Sequence, residues 1–144
     1  MVCTFFGHND TPDGVESLVR SAVIDLIIKK GVTKFYVGSQ GNFDRVVKRV
    51  LRNVKQQFPY IECLIVLAYM PAKCGVYADD VFETVYPEGL ESVPLRAAIA
   101  RRNEWMVQMA DVVVTYVKYN IGGASKYKLL AEKRKKEVIN SADF

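Results

Sequence analysis

Residues 2–41, VCTFFGHNDTPDGVESLVRSAVIDLIIKKGVTKFYVGSQG, decide the fold. They open with an apolar run, Val2 to Phe6, that stops at Gly7-His8-Asn9-Asp10. Val15, Leu18, Val19, Ala22, Val23, Leu26 and Ile27 then recur at helical spacing, and Gly31 after Lys29-Lys30 ends the pattern. A second short apolar run, Lys34 to Val37, stops at Gly38-Ser39-Gln40-Gly41. Strand, helix, strand in this order predicts a right-handed crossover between parallel neighbours.

The rhythm continues outward from this unit. Phe43, Val46, Val47, Val50, Leu51 and Val54 mark a second helix, and Ile61 to Ala68 a third strand. That strand is apolar throughout except for Glu62, as suits a parallel strand covered on both faces. A third helix is expected from about Pro94 to Ala110, a fourth strand over Val112 to Val117 after Asp111, and a fourth helix after Gly122-Gly123-Ala124. Val138-Ile139 reads as a last short strand. The stretch from about 70 to 93 breaks the pattern. It carries Pro71, Gly75, Pro87 and Gly89, and Asp79, Asp80, Glu83, Glu88 and Glu91 without a base after Lys73. It reads as a long acidic loop, a candidate lid over a binding site. The whole, residues 1–144, is expected to form one α/β domain with a mostly parallel sheet of about five strands.

Composition narrows the function classes. The chain has 144 residues, of which 50% are hydrophobic and 25% charged, so collagen-like, low-complexity and disordered readings are excluded. No apolar run approaches the roughly 20 residues that span a bilayer. The first ten residues carry no Lys or Arg, which predicts no signal peptide, a cytoplasmic protein and no membrane partner. The net charge of +4 permits an anionic ligand without demanding nucleic acid. Cys3, Cys63 and Cys74 show no CxxC spacing and there is one histidine, so reduced thiols and no metal site are expected.

In parallel sheets ligands bind beyond the carboxyl ends of strands. Three such ends are rich in glycine and amide side chains: Gly7-His8-Asn9, Gly38-Ser39-Gln40-Gly41, and Gly122-Gly123-Ala124-Ser125. Glycines let backbone N–H groups approach an anion, and a following helix turns its positive end toward it. Turn geometry alone also selects these residues. His8 titrates in the range of an acid or base, but as a lone histidine with no evident carboxylate partner it reads rather as a polar loop residue or ligand contact. Asp44 fits a ribose hydroxyl or the first turn of the second helix. In the third helix Leu95, Ala98, Ile99, Arg102, Met106 and Met109 follow one stripe, which aims Arg102 at the sheet. A guanidinium there must meet a carboxylate, such as Asp44 or one from the acidic loop, or grip a phosphate with its planar fork. Tyr69 and Trp105 are candidates for stacking on a base. The basic end of the fourth helix reads as a solvated face.

Taken together, Phe6-Gly7-His8, Phe35-Tyr36-Val37-Gly38, Phe43-Asp44, Val66-Leu67-Ala68-Tyr69-Met70-Pro71, Tyr86-Pro87-Glu88-Gly89-Leu90, Arg101-Arg102-Asn103-Glu104-Trp105-Met106, Ala110-Asp111-Val112 and Gly122-Gly123 resemble the SLOG (Smf/DprA–LOG) superfamily. The closer likeness is to its YpsA-like branch of small single-domain bacterial and mobile-element proteins. The resemblance spans nearly the whole chain. It implies a Rossmann-like three-layer fold that binds a nucleotide or a nucleotide-derived ligand, including molecules related to NAD and ADP-ribose. The site it implies consists of Gly7, His8, Asn9, Gly38, Ser39, Gln40, Gly41, Asp44, Tyr69, Arg102, Asn103, Gly122, Gly123, Ala124 and Ser125. It implies a homodimer, calls for no cofactor, and leaves single-stranded DNA binding open. Two further readings come with it. One is a LOG-type phosphoribohydrolase; the other is a protein-interaction module in cell-envelope or division control. Against the hydrolase, Leu129 stands where the LOG pattern has its catalytic Glu, and Asn103, Ser125 and Lys126 also depart from that pattern. Glu88 and Glu91 are the substitutes the acidic loop offers, and no catalytic residue is assigned.

Overall fold

The computed structural model describes residues 1–70 and 79–144. Its strands are β1 (Val2–Gly7), β2 (Lys34–Val37), β3 (Glu62–Val66), β4 (Phe82–Val85), β5 (Val112–Tyr116) and β6 (Glu137–Asn140). Its main helices are α1 (Glu16–Asp25), α2 (Gly41–Gln57), α3 (Leu95–Met109) and α4 (Gly123–Lys133). The strands form one sheet in the order β4-β3-β2-β1-β5-β6, and every neighbouring pair is parallel. The domain is thus a three-layer, Rossmann-like α/β fold.

Chain direction explains the layers. From β1 the chain moves outward through β2 and β3 to β4, then returns to the other side of β1 in β5 and β6. With a fixed crossover hand, reversing direction puts the later helices on the opposite face. Accordingly Phe5, Phe35, Val37 and Ile65 pack with Val19 and Val23 of α1 and Val47 and Leu51 of α2. Phe6, Tyr36, Val66 and Val113 pack with Met106 and Val107 of α3 and Tyr127 of α4. β1 lies between two parallel partners and its residues Cys3 to Phe6 are buried. Its start is tied by the Val2 N–H, which donates to Asp111 Oδ2 at 2.8 Å.

The sheet has six strands rather than five. The additional strand, β4, lies inside the stretch read from sequence as a loop. Phe82 is buried while Glu83 and Thr84 are exposed, so four residues of an edge strand carry almost no apolar pattern. Only pairing with β3, Cys63 opposite Phe82 through Val66 opposite Val85, makes the segment a strand. A short 3₁₀ turn at Leu90–Ser92 follows, with Leu90 in the core. The single long loop from 70 to 93 is therefore corrected. Pro71, Lys73, Cys74 and Gly75 of that stretch lie outside the described residues. Cys3 and Cys63 are free and buried, and burial pushes the Cys63 thiol up to about 11. The first helix ends differently from the expected continuous helix: Leu26–Lys30 form a π turn before Gly31 at φ 71°. Among the described residues no helix is long and apolar enough to cross a membrane.

Gly7, at the end of β1, serves packing. A methyl group there would fall inside the ring of Phe43, which is fully buried at the start of α2. Gly7→Ala should destabilise the fold by about 2 kcal/mol or more, an overpacking cost. For a domain of this size that lowers the melting midpoint by roughly 4–8 °C. Gly14→Ala, where nothing lies within 4 Å of the added carbon, should leave it nearly unchanged in the same calorimetric comparison.

Candidate functional site

The turn of the chain from one half of the sheet to the other falls between β1 and β5, where Gly7 pairs with Tyr116. A cleft of about 560 Å³ opens at this edge of the sheet. Gly7, His8 and Asn9 line one wall. Gly38, Gln40 and Asp44 line the floor, Arg102 and Asn103 reach in from α3, and Gly122, Gly123 and Ala124 close the far side. Eleven of the expected site residues thus converge from four separate segments.

Arg102 is 3% exposed. Its Nη1–H donates to the carbonyl of Val66 at 3.3 Å, and its Nε–H donates to Asn103 Oδ1 at 3.0 Å. Among the described residues no carboxylate lies within 4 Å of its guanidinium. Asp44 comes closest in role. It approaches the end of β2 from the α2 face while Arg102 approaches from the α3 face, and Gly38 lies between them. A carbon added at Gly38 would lie 2.9 Å from Asp44 Oδ2 and 3.3 Å from both Arg102 Nη atoms. The missing side chain is what lets both charges reach the cleft floor.

Asp44 serves the first turn of α2 and also lies at the cleft. Its Oδ2 accepts the Gln40 N–H at 2.8 Å, which supports the start of α2, and the residue still lines the cleft. Burial pushes its carboxyl up to about 6, against the opposing pull of the Gln40 amide, Arg102 and Lys48. The N-terminus of α2 is further occupied by its own chain: the Asn42 N–H donates to the Asn9 carbonyl at 2.9 Å. Gly41, at φ 79°, packs so tightly on Asn9 that any side chain would overlap it. The N-terminus of α4 differs. Gly122 caps it at φ 94° with no side-chain hydrogen bond, and the glycines there meet nothing within 4 Å of an added carbon. Of the two helix ends at the cleft, that of α4 presents its amides to the open space.

His8 is 7% exposed. Its Nε2 accepts the Lys118 backbone N–H at 3.0 Å, so its own proton sits on Nδ1. Its ring stacks on Tyr119, with centroids 3.9 Å apart and planes within 6°. The Tyr119 hydroxyl donates to Asp10 Oδ1 at 2.7 Å. Burial holds the imidazole below the usual histidine value, with Asp10 pulling upward. An Nε2 already bound to an amide is a fastening between the two loops.

Four expected site residues do not line the cleft. Ser39 and Gly41 lie beside it, turned into the β2–α2 connection. Ser125 is buried in the first turn of α4 and faces a neighbouring groove with Lys126 and Leu129. Tyr69 is exposed, its hydroxyl donating to the Leu95 carbonyl at 3.2 Å. Trp105 is also away from the cleft, tilted against Tyr36 at 5.1 Å. Leu95 and Met109, expected on the buried stripe of α3, are its first and last residues and are 74% and 44% exposed. Conversely, Asp10, Ile99, Tyr119, Ile121 and Tyr127 line the cleft and were not assigned to it from sequence. Tyr119 was findable by the strand-end rule, since it follows β5 by three residues. Among the described residues no group of three or more His, Cys, Asp or Glu is placed to hold a metal ion.

Asp44 gives a pH-dependent test. The folded chain keeps this proton to about pH 6, whereas an unfolded carboxyl, with its ordinary value of 3.8, has released it. Between these values the folded state binds more protons, so this group's contribution to stability is present below 3.8 and is lost as pH rises through 6. The stability of Asp44→Asn relative to the parent should therefore rise by on the order of 2 kcal/mol between pH 3.5 and 7.5, read from urea unfolding at each pH. Compared with known protein families and with curated proteins, the sequence matches none.

Proposed function

We propose that the chain binds a nucleotide or nucleotide-derived molecule, of the ADP-ribose or NAD class, as a sensor or sequestering protein. The observation that carries this reading is Arg102: a buried guanidinium aimed into the cleft without a carboxylate within 4 Å among the described residues. A buried cation is costly to desolvate, and a bound phosphate supplies the missing counter-charge through a bidentate contact. The uncapped amides of α4 add a second anion-binding element on the same cleft. Asp44, facing the same space, is an acceptor for a ribose hydroxyl. The resemblance to the SLOG superfamily points to the same ligand class.

Nucleotide hydrolysis is a second reading, favoured by Asp44 alone, whose carboxyl stays protonated to about pH 6 at the cleft floor. Residue 129, where the LOG pattern has its glutamate, is an exposed leucine that does not line the cleft. Glu88 and Glu91 are exposed and do not line it either. Release of free base or ribose phosphate from AMP or NAD, abolished by Asp44→Asn, would establish turnover; intact nucleotide after prolonged incubation would remove this reading.

Thermal melting against AMP, ADP, NAD and ADP-ribose tests the binding reading. A ligand at 100 times its Kd stabilises by about 2.7 kcal/mol, here roughly 5–10 °C. Arg102→Met should abolish that shift while leaving the unliganded midpoint unchanged or higher, because it removes an unpaired buried charge. A variant that instead melts several degrees lower, in a parent that shifts with no nucleotide, would make Arg102 a structural residue and overturn the proposal.

A further inference from the structure

One feature of the cleft joins two parts of the chain that no strand pairing connects. His8 follows β1, and the segment 117–122 follows β5 and leads directly into Gly122 at the start of α4. The imidazole holds that segment at two points. Its Nε2 accepts the Lys118 N–H, and its face carries the Tyr119 ring, which is itself anchored to Asp10. From the other side the Tyr116 ring meets it edge-on at 6.3 Å. Its backbone is fixed independently: the His8 N–H donates to the Tyr116 carbonyl, and Thr11 returns both its amide and its hydroxyl to the His8 carbonyl. The ring is therefore a rigid post, and 117–122 is what it steadies.

We propose that His8 is the positioning residue of the cleft: its neutral imidazole latches the 117–122 segment, and so the α4 amides, over the ligand site, and protonation releases it. The chemistry is one of donors and acceptors. A protonated Nε2 is a donor, and it would face the Lys118 N–H, also a donor, at a nearly buried position. Two donors cannot bond, so the Lys118 attachment is lost; Val117 stays held by Asn140, and the chain beyond it loosens from β1.

The surrounding groups act in both directions. Asp10 on the same segment favours the imidazolium. Tyr116, Lys118 and Tyr119 approach from the segment at and beyond β5, Tyr127 from α4, Asp44 from α2 and Arg102 from α3 across the cleft. Burial outweighs Asp10 and favours the neutral ring. The stabilising contact is thus present above the ordinary histidine range and is lost as pH falls through the lowered folded value. The release of ligand rests on the nucleotide-binding reading; the latch itself does not.

Because the chain has one histidine, its imidazole proton resonances are unambiguous in an NMR titration. The unliganded protein should show His8 titrating below 6.5, with the Lys118 amide shifting at the same midpoint. NAD, whose pyrophosphate charge is constant in this range, serves as the ligand probe. Its affinity should fall by up to about tenfold for each pH unit below that midpoint. His8→Gln offers an amide oxygen that accepts but does not titrate, and should bind NAD at pH 7.5 and keep below it only the pH dependence that Asp44, titrating at about 6 on the cleft floor, contributes. A Lys118 amide that stays still through the His8 transition, or a histidine titrating at or above 6.5, overturns the latch without reference to any variant or ligand. A Lys118 response with no NAD binding at any pH overturns ligand release and counts against the nucleotide reading, while the latch stands.

Discussion

The structure depends on β1 having a parallel partner on each side. With β2 on one side and β5 on the other, this buried strand is bonded into the sheet along both edges, and its first amide, at Val2, is met by the Asp111 carboxylate. The chain cannot then leave β1 in the same direction on both occasions. It builds one half of the sheet outward to β4, crosses back, and builds the other half. The helices fall on opposite faces as a result, and the cleft opens at the point where the direction reverses.

Glycine in the cleft has two separate uses. Gly7 and Gly41 are filled from behind, by Phe43 and by Asn9, and their lack of a side chain serves packing. Gly122 and Gly123 have open space where a side chain would stand, at a helix end with no side-chain cap. Gly38 is intermediate, admitting Asp44 from one face and Arg102 from the other. The three glycine-rich strand ends look alike as sequence. What distinguishes them is which atoms lie within contact distance, and those atoms come from elements 30 or more residues away in two of the three cases.

The two charges at the cleft floor are held at a cost. Each is buried, and neither has an ion pair within 4 Å among the described residues. Burial raises the Asp44 carboxyl and lowers the basicity of Arg102. Packing alone would favour an apolar side chain at either position. The surface ion pairs, such as Arg49 with Asp13 and Glu16, lie in solvent and contribute little by comparison.

Much of the fold was legible in the sequence. The apolar runs at Val2, Lys34, Ile61 and Val112, the helical stripes between them, and the inward aim of Arg102 all follow from periodicity, which local chemistry sets. Short edge strands were not: Phe82–Val85 is too brief to show a period, lies among acidic residues, Pro87 and Gly89, and becomes a strand because β3 offers it a free edge. For the same reason the strand-end rule found the walls of the cleft but not its working arrangement. The sequence by itself determined that parallel strands would end in glycine-rich loops at one edge of the sheet. Tertiary structure alone decided that His8 would be fastened to Lys118, that Tyr119 would cover it, and that Tyr69 and Ser125 would face elsewhere. Periodicity reports which face of an element is buried. It carries no information about which distant residue is buried against it.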